Sequence, residues 1–349
     1  MTGCGARHRR RSPTHLWTVR IAAWICVTLG ACTADPGYGG RSSEQWIAQL
    51  AEADAGRRID AALALGRVLS IQPNAPKVIG ALVVAPADTS DDVRVTAAEG
   101  LRSAARGDRG IQSRLARDAV PRIEELLGDS QHVAVRRDAA RILGSLGPSA
   151  TAVAVAPLGR ALQDPSPEVR RAAAMSLTGS DEAARAAVPR LLDASRDTDR
   201  EVRLIVLRAL AASAEPTILV GQAIIRGLRD PDAVVREGVA TGLGQRRPQP
   251  TGTLFVPDGP YEQPLLVLRA ATRDPVTSVR LAAVMSLGLL ADSTGRVDLE
   301  RALADPDSAV RREAVHALTA LHRRGGRDPS LPEPSLFELC RSNPRWPGC

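Results

Sequence analysis

A chain of 349 residues with a formal charge of +7 has room for two ordinary domains or one long array, and its charge invites a nucleic-acid or membrane reading. Apolar residues make up 44% but aromatics only 2%, so any core must be built from Ala, Val and Leu, which suits close-packed helices rather than a few large rings. Five of the 46 basic residues (Arg7, Arg9, Arg10, Arg11 and Arg20) lie in the first 31 positions, which hold no acid, and the remaining 41 face 39 acidic residues, so the basicity belongs mainly to the N-terminus and argues against nucleic-acid binding.

Residues 1–31 read as an export signal. A basic stretch to Arg20 leads into Ile21-Ala-Ala-Trp-Ile-Cys-Val-Thr-Leu29, an apolar run too short for a bilayer span, which needs roughly 20 residues. It ends in Leu29-Gly30-Ala31-Cys32, which resembles the lipobox of bacterial lipoproteins. The resemblance implies cleavage before Cys32 and a lipid on its thiol; ordinary cleavage after Ala31 would leave the thiol free. Thr33 stands where an Asp would resemble an inner-membrane retention signal, so an outer-membrane destination is permitted. Residues 32–45 then read as a linker.

From residue 46 to about 323 one pattern recurs eight times, keyed on Arg58, Arg94, Arg136, Arg170, Arg203, Arg236, Arg280 and Arg311. Seven residues after each Arg stands a leucine (Leu65, Leu101, Leu143, Leu177, Leu210, Leu243, Leu287, Leu318), and three after it a small apolar residue such as Ala97 or Val206. A valine precedes seven of the eight. Positions −1, +3 and +7 step by four, so they form one helical stripe, and the small middle residue lets a neighbouring helix come close. Asp54, Ser90, Ser166, Asp199, Asp232 and Asp307 stand four residues before the Arg as expected N-caps. An upstream apolar stretch such as Val188–Leu192 supplies a first helix, with Pro121, Pro157, Pro189 and Pro264 expected near the starts and Pro165, Pro231, Pro275 and Pro306 ending them. Each unit is therefore a helical hairpin.

Asp-Pro, then Val-Arg, then Ala and Leu-Gly resembles the HEAT repeat, most closely the short form known from phycobilin lyases. The resemblance implies an all-α solenoid of about eight two-helix repeats. It also implies an interlocked Asp–Arg ladder between adjacent turns, built from Asp88, Arg94, Asp164, Arg170, Asp197, Arg203, Asp230, Arg236, Asp274, Arg280, Asp305 and Arg311. Trp46 is similar to a residue in the leading segment often found before such arrays in exported bacterial proteins.

Two segments depart from the pattern. Successive Arg positions are 36, 42, 34, 33, 33, 44 and 31 residues apart, and the 44-residue step contains a Pro- and Gly-rich insert at 245–264. Arg246, Arg247, Phe255 and Tyr261 in this insert are the candidate partner-binding residues. The tail at 324–349 is Pro-rich and carries Phe337 and Trp346, so four of the six aromatics beyond the signal lie outside the repeats. These rings either seal the ends and edge of the solenoid or offer a partner an exposed loop and tail. In an oxidising compartment Cys340 and Cys349 could form a disulfide across that tail.

No catalytic constellation emerges. His316 and His322 are six apart, which is not a metal-ligand spacing on one helix face, and no His-Glu pair exists. HEAT-like hydroxylases bind iron through such pairs, so an enzyme of that type, or of the bilin lyase type, is disfavoured. The reading is a non-catalytic, monomeric envelope lipoprotein that holds a protein partner, contacts the membrane only through its lipid, and requires no metal, cofactor or nucleic acid.

Overall fold

The computed structural model describes residues 37–72, 75–105, 113, 116–129, 132–212, 217–245, 262–290 and 295–324. These fold as an all-α solenoid. The helices are α1 (Ser43–Gln49), α2 (Ala55–Ile71), α3 (Pro76–Val84), α4 (Asp91–Ala105), α5 (Val120–Asp129), α6 (Val133–Ser145), α7 (Pro148–Ala161) and α8 (Pro167–Thr178). They continue as α9 (Asp181–Ala194), α10 (Arg200–Ala212), α11 (Ile218–Gly227), α12 (Ala233–Gly244), α13 (Glu262–Ala271), α14 (Thr277–Leu290), α15 (Arg296–Ala302) and α16 (Ser308–Arg324). Odd and even helices pair into eight hairpins, and each even helix packs against the next even one. A 3₁₀ turn, Ala85–Ala87, follows α3.

The stripe expected from the sequence is the core. Every leucine at +7 and every small residue at +3 is buried, as are the seven valines at −1. Each such leucine contributes roughly 1.5–3 kcal/mol by leaving water. All of the stripe but Ala61 and Val135 joins one hydrophobic cluster that runs through the eight hairpins, the quasi-linear core of a repeat array.

Local capping fixes where helices begin. The Asp54 carboxylate accepts the Arg57 amide at 2.8 Å, Asp232 accepts Val234 at 2.9 Å, and Asp307 accepts Ala309 at 2.8 Å. Asp199 accepts both Glu201 and Val202. Ser166 departs from expectation: its hydroxyl makes no cap bond, and its amide instead donates to Asp164 at 2.8 Å. The prolines also differ from the sequence reading. Pro157 and Pro189 sit inside α7 and α9 rather than at their starts, because these helices begin well upstream; at α9 the Ser180 hydroxyl supplies the cap. Pro165, Pro231, Pro275 and Pro306 do not end the first helices, which have already stopped four residues earlier at Ala161, Gly227, Ala271 and Ala302.

At the N-terminal end, Gly39 and Gly40 adopt positive φ (61° and 79°) and turn the chain so that Tyr38 pairs with Arg41. The Trp46 indole N–H then donates to the Tyr38 carbonyl at 3.0 Å, with the Arg41 guanidinium 4.9 Å from the ring centroid. This tryptophan packs against the core and covers its first face.

Successive even helices meet through positions +8 of one unit and +6 of the next. Gly66–Gly100, Gly144–Ser176, Ala211–Gly242, Gly244–Ser286 and Gly288–Ala317 approach closely there; in the other two junctions the same positions hold Thr178 and Ala209, and the bulky Arg102 and Ile142. Ser176 and Ser286, at the same position, donate across the contact to the carbonyls of Ala140 (2.9 Å) and Ala240 (2.7 Å). A Cβ on Gly242 would lie 2.5 Å from the Arg208 carbonyl oxygen, whereas one on Gly80 meets nothing closer than an Arg122 nitrogen at 3.9 Å. Gly242→Ala should therefore cost about 1–3 kcal/mol through overpacking, while Gly80→Ala should stabilise by about 0.5–1 kcal/mol through helix propensity. Thermal unfolding of the two variants checks the opposite signs.

Candidate functional site

The ladder that sets the repeat geometry is bidentate at six rungs among the described residues. Nε and Nη2 of Arg58 donate to Asp88 at 2.7 and 2.9 Å. Arg136 reaches Asp164 (2.7 and 3.1 Å), Arg170 reaches Asp197 (2.7 and 2.8 Å), and Arg203 reaches Asp230 (2.8 and 3.0 Å). Arg236 reaches Asp274 (2.8 and 2.9 Å), and Arg280 reaches Asp305 (2.7 and 2.9 Å). Each bidentate bond joins adjacent turns, whereas the Asp and the Arg six residues later belong to one turn. Those two are joined instead through the backbone: Nη1 of Arg94, Arg170, Arg203, Arg236, Arg280 and Arg311 donates to the carbonyl of Asp88, Asp164, Asp197, Asp230, Asp274 and Asp305 at 2.7–3.0 Å. One guanidinium thus clamps its own turn and grips the carboxylate of the next.

Burial pushes the carboxyls of Asp88, Asp164, Asp230, Asp274 and Asp305 up, but the guanidinium bond and the amide two residues on outweigh it and hold each below the ordinary range. Arg58 and Arg136 are full ladder members that the sequence reading left out, since no Asp stands six residues before either. Arg94 has no column acid in the next unit, where position −6 is Ser130, and turns to Asp138 on α6 at 3.1 Å. Asp138, 5% exposed, also receives Arg137 at 3.0 Å and has Arg141 at 4.0 Å.

With the core stripe turned inward, the even helices present positions +1, +5 and +9 outward as a continuous face. Position +5 carries Leu63, Glu99, Arg141, Met175, Arg208, Thr241, Met285 and His316. Leu63 (51%), Met175 (62%) and Met285 (44%) are well exposed there, with Val95 at +1 and Leu289 at +9 beside them. Arg137 and Arg171, at +1, are tied to the following unit: Arg171 donates to Asp199 at 2.9 Å, and Arg137 lies 3.5 Å from Glu168. The bond from Arg171 lowers the Asp199 carboxyl to about 2. Arg312 occupies the same column in α16 and is exposed.

Two clefts open on this face. One, of about 390 Å³, lies between α2 and α4 beside Leu63, Arg67 and Thr96. The other, of about 100 Å³, lies between α4 and α6 over Arg94, Asp138 and Ile142. Glu99 and Arg102 border both. Neither was anticipated from the sequence. Cys32, Arg246, Arg247, Phe255, Tyr261, Cys340 and Cys349 lie outside the described residues. Among the described residues, no three His, Cys, Asp or Glu side chains form a group able to hold a metal ion, and no helix is long and apolar enough to cross a membrane.

A family profile described as HEAT repeats matches residues 80–178, 155–244 and 265–345. Among curated proteins nothing matches. Among solved structures, YibA of Escherichia coli is similar with a TM-score of 0.53 at 17% identity, over 91% of this chain and 100% of its own. A structure of Kap95p bound to RanGDP is similar with a TM-score of 0.62 at 14% identity, over 86% of this chain and 44% of the other. At these identities the likeness is one of fold.

Proposed function

This chain belongs to the HEAT-repeat family, and from that premise we propose that it is a non-catalytic scaffold of the bacterial cell envelope, anchored by a lipid on Cys32, that holds a protein partner along the exposed face of its even helices. The observation that carries the reading is the +5 column, where Leu63, Met175 and Met285 stand exposed on one face among arginines. Large aliphatic side chains raised in line, two of them adaptable methionines, suit a partner that lies along several repeats. Kap95p, a larger protein of similar fold, is solved with a protein bound. The lipid anchor rests on the sequence from Ile21 to Cys32.

Photo-crosslinking residues placed at 175 and 285 should capture a partner, whereas the same residue at 153 or 219, exposed on the odd helices α7 and α11, should capture little. Equal capture from both layers would remove the even face as the binding surface. For the anchor, Cys32→Ala should abolish fatty-acid labelling and release the protein from the membrane fraction; persistent labelling would refute it.

A further inference from the structure

Along the even layer, the α4–α6 contact is unlike the rest. Wherever the +8/+6 pair consists of Gly, Ser or Ala, consecutive even helices pack extensively; at Thr178–Ala209 they pack less, and at Arg102–Ile142 least of all. The trend follows side-chain size: Arg102 and Ile142 are the bulkiest residues at these positions, and they mark the most loosely packed junction of the even layer, the α4–α6 wedge. Two other irregularities coincide with it. The ladder breaks here, because Arg94 must share Asp138, and the spacing of the repeat lengthens to 42 residues.

The cleft at this junction is lined by one guanidinium more than the carboxylates beside it. Arg94, Arg102 and Arg141 border it against Glu99 and Asp138. Asp138 is already engaged by Arg94 and Arg137, and Glu99 by Arg102 at 3.3 Å. Asp91 also contacts Arg94 from the start of α4. Among the described residues, the Arg141 side chain, 65% exposed, has a carboxylate no nearer than 4.0 Å. Arg67 adds a further positive charge in the adjoining cleft. Leu63 and Val95 flank these guanidiniums as exposed apolar surface. We infer that the α4–α6 wedge is a recognition site for an acidic side chain on an extended segment of a protein partner, with Arg141 and Arg102 receiving the carboxylate and Leu63 and Val95 receiving neighbouring aliphatic side chains. This rests on the protein-binding reading above and names the partner's chemistry. Charge complementarity selects the acidic residue. The described aromatics, Tyr38 and Trp46, sit at the N-terminal end, so the wedge has no ring on which a nucleic-acid base could stack.

The test uses the full chain and an array of random peptides about twelve residues long, which at roughly 3.3 Å per residue span several repeats. Peptides retained should be enriched in Asp or Glu beside Leu, Ile, Val or Met. Arg141→Glu should weaken the best of them about tenfold in fluorescence anisotropy. Arg102→Gly combined with Ile142→Ser, which restores a small pair and closes the wedge, should do the same with the fold intact by circular dichroism. Arg185→Glu, an equal charge change on the odd helix α9, should leave affinity within about twofold. The inference is overturned if retained peptides lack an acidic bias, if the closed wedge binds as well as the open one, if Arg185→Glu weakens binding equally, or if oligodeoxythymidine binds as tightly. Partner capture through residues 175 and 285 that persists in the closed-wedge variant would leave the protein-binding reading standing and remove only this site.

Discussion

Asp230→Ala should lower the unfolding free energy by about 3–5 kcal/mol, the range for stripping one partner from a buried ion pair. Asp230 is 8% exposed, and its carboxylate takes two bonds from Arg203 and one from the Asp232 amide at 2.9 Å. Truncation leaves Arg203 inside the stack with only its backbone carbonyl partners and uncaps the turn before α12. The effect belongs to the unpaired group rather than to attraction alone, so Arg203→Met with Asp230→Leu should recover most of the loss. Lys77→Ala is the contrast: its 2.6 Å bond to Glu44 joins two exposed side chains and should contribute less than about 1 kcal/mol. Array stability is a sum of neighbour interfaces, so a weakened fifth-to-sixth contact should also divide urea unfolding into two steps. A midpoint for Asp230→Ala matching that of Lys77→Ala would mean the ladder is ornamental.

The fold was legible because its determinants recur. A stripe seen once could belong to many helices, but Val, Ala and Leu at −1, +3 and +7 through eight units leave one solution, and all eight +7 leucines are buried. Partner identity within the ladder was less legible. A guanidinium and a carboxylate six residues apart look like a pair, yet the acid that closes each bidentate rung lies 25 to 38 residues further on, across a loop and a helix. Proline signals misled for a related reason: proline at a first turn is cheap, but its position alone does not reveal that Ser180 has already started α9 upstream. The wedge had a readable signal, since Arg102 and Ile142 interrupt two columns of small residues. Those columns become meaningful only once the geometry shows that +8 of one unit faces +6 of the next.

Acid should unfold the array cooperatively between about pH 4 and pH 2. Asp88, Asp164, Asp230, Asp274 and Asp305 are all held below the ordinary carboxylate value of about 3.9, and Asp199 is lowered to about 2. A depressed folded value means that the unfolded chain takes up protons first as pH falls. Stability supplied by these groups is therefore complete above about pH 4 and drains away as pH drops through the folded values. Arginine stays charged throughout, so each protonated Asp also strands the guanidinium of the preceding repeat. Because the same rung recurs along the stack, the losses fall in one window and add across interfaces, and the urea midpoint should be nearly flat from pH 5 to 8 and collapse below pH 4. The Arg203→Met, Asp230→Leu variant has one titrating rung fewer and should show a shallower decline. Arg171→Ala should return the Asp199 carboxyl toward its ordinary value and remove that residue's share of the loss. A midpoint that stays level down to pH 2.5 would show that the ladder carboxylates titrate alike in the folded and unfolded chains, and the repeats would then owe their cohesion to the leucine stripe alone.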